Sequence, residues 1–233
     1  MSILGIDTSG KVSGVAVATG DFLQAEISVQ GPLTHSETLM EHVVKALELA
    51  KVAKEKLAGI AVGIGPGSFT GLRIGLSAAK ALSYGLNIPL VGVSTMHVLA
   101  CHFYLYGGDL LLMIDAQKKN VYREVCRWEH GELVSVKPLA IIPLGDALNE
   151  CQADGQPTII LGDGLKLPFK DELPPNAKIA PPALKLPRAA HVAWWGQKKL
   201  SAGESDDPMT LEPLYLRRSE AELLWEKRHG NAN

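Results

Sequence analysis

The run Gly65-Pro66-Gly67-Ser68-Phe69-Thr70-Gly71-Leu72-Arg73-Ile74-Gly75 is the part of the chain whose residue types speak most directly to chemistry. A glycine loop that opens a helix can receive an anion on its free N–H groups. The run lacks the closing Gly-Lys-Ser/Thr with which a phosphate loop reaches phosphate, and its third glycine falls one residue late for a dinucleotide fingerprint. Anion receipt and a plain strand-to-helix turn are both open to it. Two aspartates come next. Asp7 in Ile6-Asp7-Thr8-Ser9 and Asp115 in Ile114-Asp115-Ala116-Gln117 each end an apolar run, and a lysine (Lys11, Lys119) stands four residues beyond each. Carboxylates so placed suit capping the turns after their strands.

Metal and nucleophile chemistry have weaker footing. His97 and Cys101 are four apart and would share a helix face, with His102 beside them, so two ligands could meet there. No third ligand is apparent, and buried Cys and His more often serve as core. The seven histidines include no HxxxH or HExxH spacing, and no Ser-His-Asp or Cys-His group stands at readable spacing. No metal site is expected.

These residues need elements to position them. Strands are predicted over Ser2 to Asp7, Val12 to Val17 and Phe22 to Val29, with turn residues between them. Thr34-His35-Ser36-Glu37 has capping-box spacing, and Leu39, Val43, Leu47 and Ala50 recur at helical spacing, predicting a helix over about 36–53. A buried strand, Leu57 to Gly65, feeds the glycine run, and a second helix follows to about Tyr84. Gly71, Gly75, Ala79 and Ser83 give that helix one ridge of small residues. An interior glycine costs a helix about 1 kcal/mol relative to alanine. A closely approaching neighbour, either the preceding helix or one from a partner, would compensate. Leu90 to Val93 is a strand, and Ser94 caps a third helix ending near Tyr106.

After Gly107-Gly108 the opening pattern returns. Leu110 to Asp115, Val121 to Trp128 and Leu133 to Pro138 resemble the first three strands, so the chain reads as an internal duplication. Thr158 to Leu161 is a strand, six prolines between Pro168 and Pro187 predict extended loop, and Arg188 to Leu200 is a helix. Pro213-Leu214-Tyr215-Leu216-Arg217-Arg218 leads into a charged tail holding Leu223, Leu224 and Trp225.

Composition bounds the function. The 233 residues suit one large domain or two small halves. With 46% apolar and 21% charged residues the chain has the makeup of an ordinary globular protein. Its 23 basic and 25 acidic residues leave a net charge of −2, which disfavours holding a nucleic acid alone, although Arg217, Arg218, Lys227 and Arg228 could join a composite surface. Three scattered cysteines indicate neither a disulfide framework nor a metal knuckle, and no signal peptide or spanning segment is visible. A cytoplasmic location is expected.

Taken together, Ile6-Asp7-Thr8-Ser9, Thr34-His35-Ser36, the GPGSFTGLRIG run, Gly92-Val93-Ser94-Thr95, Ile114-Asp115-Ala116 and Pro213-Leu214-Tyr215-Leu216-Arg217 resemble the TsaB/YeaZ family. The resemblance covers nearly the whole chain and is strongest over 1–125. It implies an α/β, actin-like (sugar kinase/Hsp70/actin) ATPase fold with two βββαβα-type halves, the second degenerate. It divides the chain into 1–107, which carries the partner-binding helices, 108–216, and the tail 217–233. It further implies a non-catalytic subunit that pairs with the TsaD catalytic subunit, and with the TsaE ATPase, to place N6-threonylcarbamoyl on adenosine 37 of ANN-decoding tRNAs. Such a chain would be a homodimer when alone and would meet tRNA only through the complex. The alternative is an ATP- or metal-dependent actin-like enzyme acting alone, either a small-molecule kinase or a glycoprotease-like transferase or peptidase.

Residue roles follow from the resemblance. Asp7, Thr8, Ser9 and Asp115 match the positions that organise Mg-nucleotide in actin-like kinases, here as a degenerate site. No cofactor is required by this chain, while ATP or ADP with Mg could lie at an interface in the complex. TsaD's metal-binding histidine pair falls by register on Thr95 and Leu99. The expected partner interface comprises His35, Leu39, Met40, Val43 and Leu47 of the first helix. From the second it takes Gly71, Leu72, Arg73, Gly75, Leu76 and Ala79.

Overall fold

Two five-stranded sheets of the same plan make up the protein. In the computed structural model, residues 1–30, 35–162 and 173–216 are described, His35 by its backbone alone. The capping threonine Thr34, the turn Gly31-Pro32 and the tail with Arg217, Arg218, Lys227 and Arg228 lie outside the described residues.

The first sheet holds β1 (Ser2–Asp7), β2 (Ser13–Thr19), β3 (Phe22–Val29), β4 (Leu57–Gly65) and β5 (Leu90–Ser94), in the order β3-β2-β1-β4-β5. β1 to β3 form an antiparallel meander, and β1, β4 and β5 run parallel. The second sheet holds β6 (Asp109–Asp115), β7 (Asn120–Glu129), β8 (Glu132–Pro143), β9 (Thr158–Leu161) and β10 (Ala177–Ile179), in the order β10-β9-β6-β7-β8. Read from β8, this is the first sheet's order and its pattern of antiparallel and parallel pairs. The duplication read from Ile6-Asp7 and Ile114-Asp115 is therefore carried by the topology, and the α/β fold is actin-like.

Burial explains which strands are central. β1 and β6 are continuous apolar runs buried on both faces, whereas the edge strands β3 and β8 are largely exposed. Parallel pairing requires crossovers. α1 (His35–Ala50) links β3 to β4, α2 (Phe69–Leu86) links β4 to β5, and α4 (Leu144–Asp154) links β8 to β9. α3 (Thr95–Ala100) and α5 (Ala189–Ser201) follow β5 and β10. α1 and α2 cover one face of the first sheet through Leu39, Val43, Leu76 and Ala79. On the other face α5 returns from the second half, so that Val192, Ala193 and Trp195 join Ile3, Ala61 and Leu110 in one core shared by both halves.

Three expectations are corrected. The third helix ends at Ala100 and passes into a 3-10 turn over Cys101–Phe103, not at Tyr106. α4 adds to the expected elements, and β10 interrupts the proline-rich stretch read as loop. Beyond α5 the chain forms a strap along the β5 edge. Asp206 N–H donates to the Leu90 carbonyl, and Leu214 N–H donates to the Ile64 carbonyl at the end of β4. Among the described residues no helix is long and apolar enough to cross a membrane.

Candidate functional site

The glycine run and the β1–β2 turn meet in a single tight assembly. Ser68 caps α2, its Oγ accepting from Gly71 N–H at 3.2 Å. Gly67, Gly71 and Gly75 then leave a groove along the start of the helix, and Thr8 and Ser9 fill it. A Cβ on Gly67 would come under 3.0 Å of the Ser9 carbonyl oxygen, one on Gly71 under 3.0 Å of the Thr8 carbonyl oxygen, and one on Gly75 under 3.0 Å of Thr8 Oγ1. Thr8 Oγ1 donates to the Gly71 carbonyl at 2.7 Å, and Ser68 N–H donates to the Ser9 carbonyl at 2.7 Å. The neighbour that compensates the small ridge is thus the turn after β1, not another helix.

This arrangement decides the chemistry of the β1 turn. Asp7 is buried, and its Oδ1 accepts from Ser9 N–H at 3.1 Å and Ser9 Oγ–H at 2.9 Å. Thr8 and Ser9 are buried as well. The hydroxyls that would face a phosphate are bound into the fold, and the N–H of the capping residue Ser68 is taken by the Ser9 carbonyl. Asp115, in the second half, is exposed and accepts from Gln117 N–H at 2.7 Å. Both aspartates cap their turns. These residues do not fit a Mg-nucleotide.

The metal reading finds no donor set either. His97 and Cys101 are close, but the His97 carbonyl receives Trp195 Nε1–H at 3.1 Å and Cys101 Sγ–H at 3.4 Å. Burial pushes the Cys101 thiol up to about 12, far from the thiolate a metal needs. Thr95 and Leu99 are buried. Among the described residues no group of three His, Cys, Asp or Glu is placed to hold an ion.

The residues expected at a partner interface separate into two sets. Leu39, Val43, Leu72, Leu76 and Ala79, with Gly71 and Gly75, are buried in the chain's own fold, and Leu47 is half-buried. Their assignment to a partner is corrected: they hold α1 and α2 to the first sheet. A leucine at Gly75 would meet Thr8 before it met any partner. Met40 and Arg73 do face outward. The side chain of His35 is outside the described residues.

Beside Met40 and Arg73, already expected at the interface, the outward face includes Val44 and Tyr84, which sequence reasoning missed. Met40 and Val44, four residues apart on α1, are 47% and 54% exposed, and Tyr84 on α2 is 81% exposed. On α2 the ridge Arg73, Ser77 and Ala81 is also exposed. The signal was present in the spacing. Leu39, Val43, Ala46 and Ala50 define the buried line of α1, which leaves Met40 and Val44 as apolar residues on the other side. Two helices packed on the same face of the sheet thus present exposed, partly apolar ridges to solvent.

Comparison with known proteins places these observations. Residues 32–225 match the family model described as "TsaD: tRNA N6-adenosine threonylcarbamoyltransferase". The chain is 33% identical over 228 residues to the tRNA threonylcarbamoyladenosine biosynthesis protein TsaB of Bacillus subtilis, covering 97% of this chain and 98% of that one. It is 27% identical over 242 residues to the TsaB protein of Haemophilus influenzae, covering 99% of this chain and 98% of the other. Among solved structures, a Pseudomonas aeruginosa protein described as uncharacterized, with similarity to peptidase YEAZ, superposes with a TM-score of 0.80 at 26% identity, over 93% of this chain and 99% of its own.

Proposed function

The chain belongs to the TsaB/YeaZ family, and from that membership we propose that it serves tRNA threonylcarbamoyladenosine biosynthesis as a non-catalytic subunit docking on a TsaD-type catalytic partner. A TsaE-type ATPase joins the assembly, tRNA is met through the complex, and without its partner the chain pairs with itself. The observation that carries this reading is the outward face of α1 and α2, where Met40, Val44 and Tyr84 stand exposed on rigid helices. A stable interface needs roughly 800 Å² per partner, and two adjacent helix faces can supply that. The engagement of Thr8 and Ser9 by α2 supports the same reading, because it ties the turn that would grip a nucleotide into the fold.

The test is association of the chain with the purified catalytic subunit, followed by tRNA modification with and without this chain. The double variant Met40→Asp, Val44→Asp should bind the catalytic subunit at least about 100-fold more weakly, since burying each side chain is worth roughly 1.5–3 kcal/mol and a buried unpaired carboxylate costs more. Its circular dichroism should match wild type, because both side chains are exposed. Unchanged affinity would move the partner to another face. Modification of tRNA by this chain alone would end the non-catalytic reading.

A further inference from the structure

The first turn of α2 and the C-terminal strap together hold one cation in a fixed pose. The Arg73 guanidinium carbon lies 3.9 Å from the Phe69 ring centroid and 5.9 Å from that of Tyr215. The two rings are 4.9 Å apart and tilted by 31°. Arg73 Nε–H donates to Tyr215 Oη at 3.0 Å. Tyr215 is itself anchored, because the neighbouring Leu214 N–H is bonded to the Ile64 carbonyl at 2.7 Å. One edge of the guanidinium is therefore occupied and its plane is set by aromatic contact. The two terminal nitrogens remain, and among the described residues no carboxylate lies within ion-pair distance of them. Arg73 is exposed and continues the α2 ridge through Ser77 and Ala81.

We propose that the terminal nitrogens of Arg73 form a preset fork for a carboxylate of the catalytic partner, making Arg73 the polar anchor of the interface. A planar fork whose rotamers are already restricted loses less freedom on binding than a mobile side chain. Phe69 and Tyr215 lie against it, and Leu214 and Leu216 adjoin Tyr215 in the strap, each partly exposed, so a docking protein that covered the strap would add apolar surface around the ion pair and exclude water. A single unpaired cation set against two aromatic rings favours a protein carboxylate over an RNA backbone, which is held by several cations at once. The inference rests on the proposed docking role and names the chemistry its partner must present.

Binding of wild type, Arg73→Lys, Arg73→Ala and Tyr215→Phe to the purified catalytic subunit, at low and high salt, tests it. Arg73→Ala and Arg73→Lys should each weaken association at least about tenfold, because lysine keeps the charge but loses the fork. Tyr215→Phe, which keeps the ring stack and removes only the hydrogen bond, should weaken it about threefold. Thermal melts of Arg73→Lys and Tyr215→Phe close to wild type would show that the strap is intact. The proposal is overturned if Arg73→Lys binds like wild type. It is equally overturned if the variants lose only self-association, or if they lose only tRNA binding by the isolated chain. Failure of wild type itself to bind the catalytic subunit removes the docking role, and with it this inference.

Discussion

Gly71→Ala should lower the thermal midpoint of the isolated chain by about 10 °C, although alanine is the better helix former. In an open helix the exchange would stabilise by about 1 kcal/mol. Here the new Cβ would fall under 3.0 Å of the Thr8 carbonyl oxygen, a backbone atom with no rotamer to change. The β1–β2 turn would have to withdraw. That movement strains the Thr8 Oγ1–H bond to the Gly71 carbonyl and the Ser68 N–H bond to the Ser9 carbonyl, both between buried or half-buried groups. Overpacking costs roughly 1–3 kcal/mol, and each lost buried hydrogen bond adds about 1 kcal/mol, so a total of about 3–5 kcal/mol is expected. For a chain of this size each kcal/mol shifts the midpoint by about 2–4 °C. A methyl group at Gly85, on the same helix, would have nothing within 4 Å, so Gly85→Ala should raise the midpoint by about 2 °C. Thermal unfolding of both variants by circular dichroism checks the reversal of sign. A Gly71→Ala protein melting beside wild type would mean that the turn is not held as described.

That cradle also shows where sequence reading stopped. The strands of both halves were legible because their signals are local: apolar runs ending in aspartate, turns of Gly and Asn, and helical spacing in Leu39, Val43 and Ala46. The small ridge of α2 was legible as a demand for a close neighbour. Its neighbour was not, because Thr8 and Gly71 are separated by 63 residues and no pattern joins them. The same holds for Arg73 and Tyr215, which lie 142 residues apart and stack only once the strap has crossed β4. α4 escaped for a different reason. Leu144, Ala147, Leu148 and Cys151 do recur at helical spacing, but the helix follows the apolar β8 end directly and is otherwise polar, so its period is weak. The interface expectation failed in an instructive direction. Apolar residues at helical spacing identified the side of α1 and α2 that the chain needs for itself, and a partner is left with the residues between them.

Acid should loosen the protein as pH falls below about 6.5, because three histidines sit where the halves join. His191 on α5 donates from Nδ1 to the Val98 carbonyl at 3.1 Å, and His102 donates from Nε2 to the Leu186 carbonyl at 2.8 Å. Their rings meet edge to face at 4.7 Å. His97 packs on Trp195 at 5.4 Å. Burial pushes His191 down to about 4, helped by the neighbouring His102 and by Arg188, and opposed by the Val98 carbonyl and Glu26. Burial also lowers His102, against the Leu186 carbonyl and Glu26 and with Arg188, and lowers His97, against Glu124 and with Lys199. Each imidazole is therefore neutral in the folded protein at a pH where the unfolded chain, with histidine near 6.5, begins to take up protons. Stability from these groups is fully present above pH about 6.5 and declines as pH falls toward 4. His191 alone is worth on the order of 3 kcal/mol across that window, at about 1.4 kcal/mol for each unit of displacement. Denaturant midpoints followed by tryptophan fluorescence at pH 7.5, 6.0 and 5.0 should fall steeply for wild type. His191→Gln keeps a side-chain donor and cannot titrate, so its midpoint should start lower at pH 7.5 and change much less on acidification. Parallel pH profiles for the two proteins would show that the junction between the halves does not sense protons through His191.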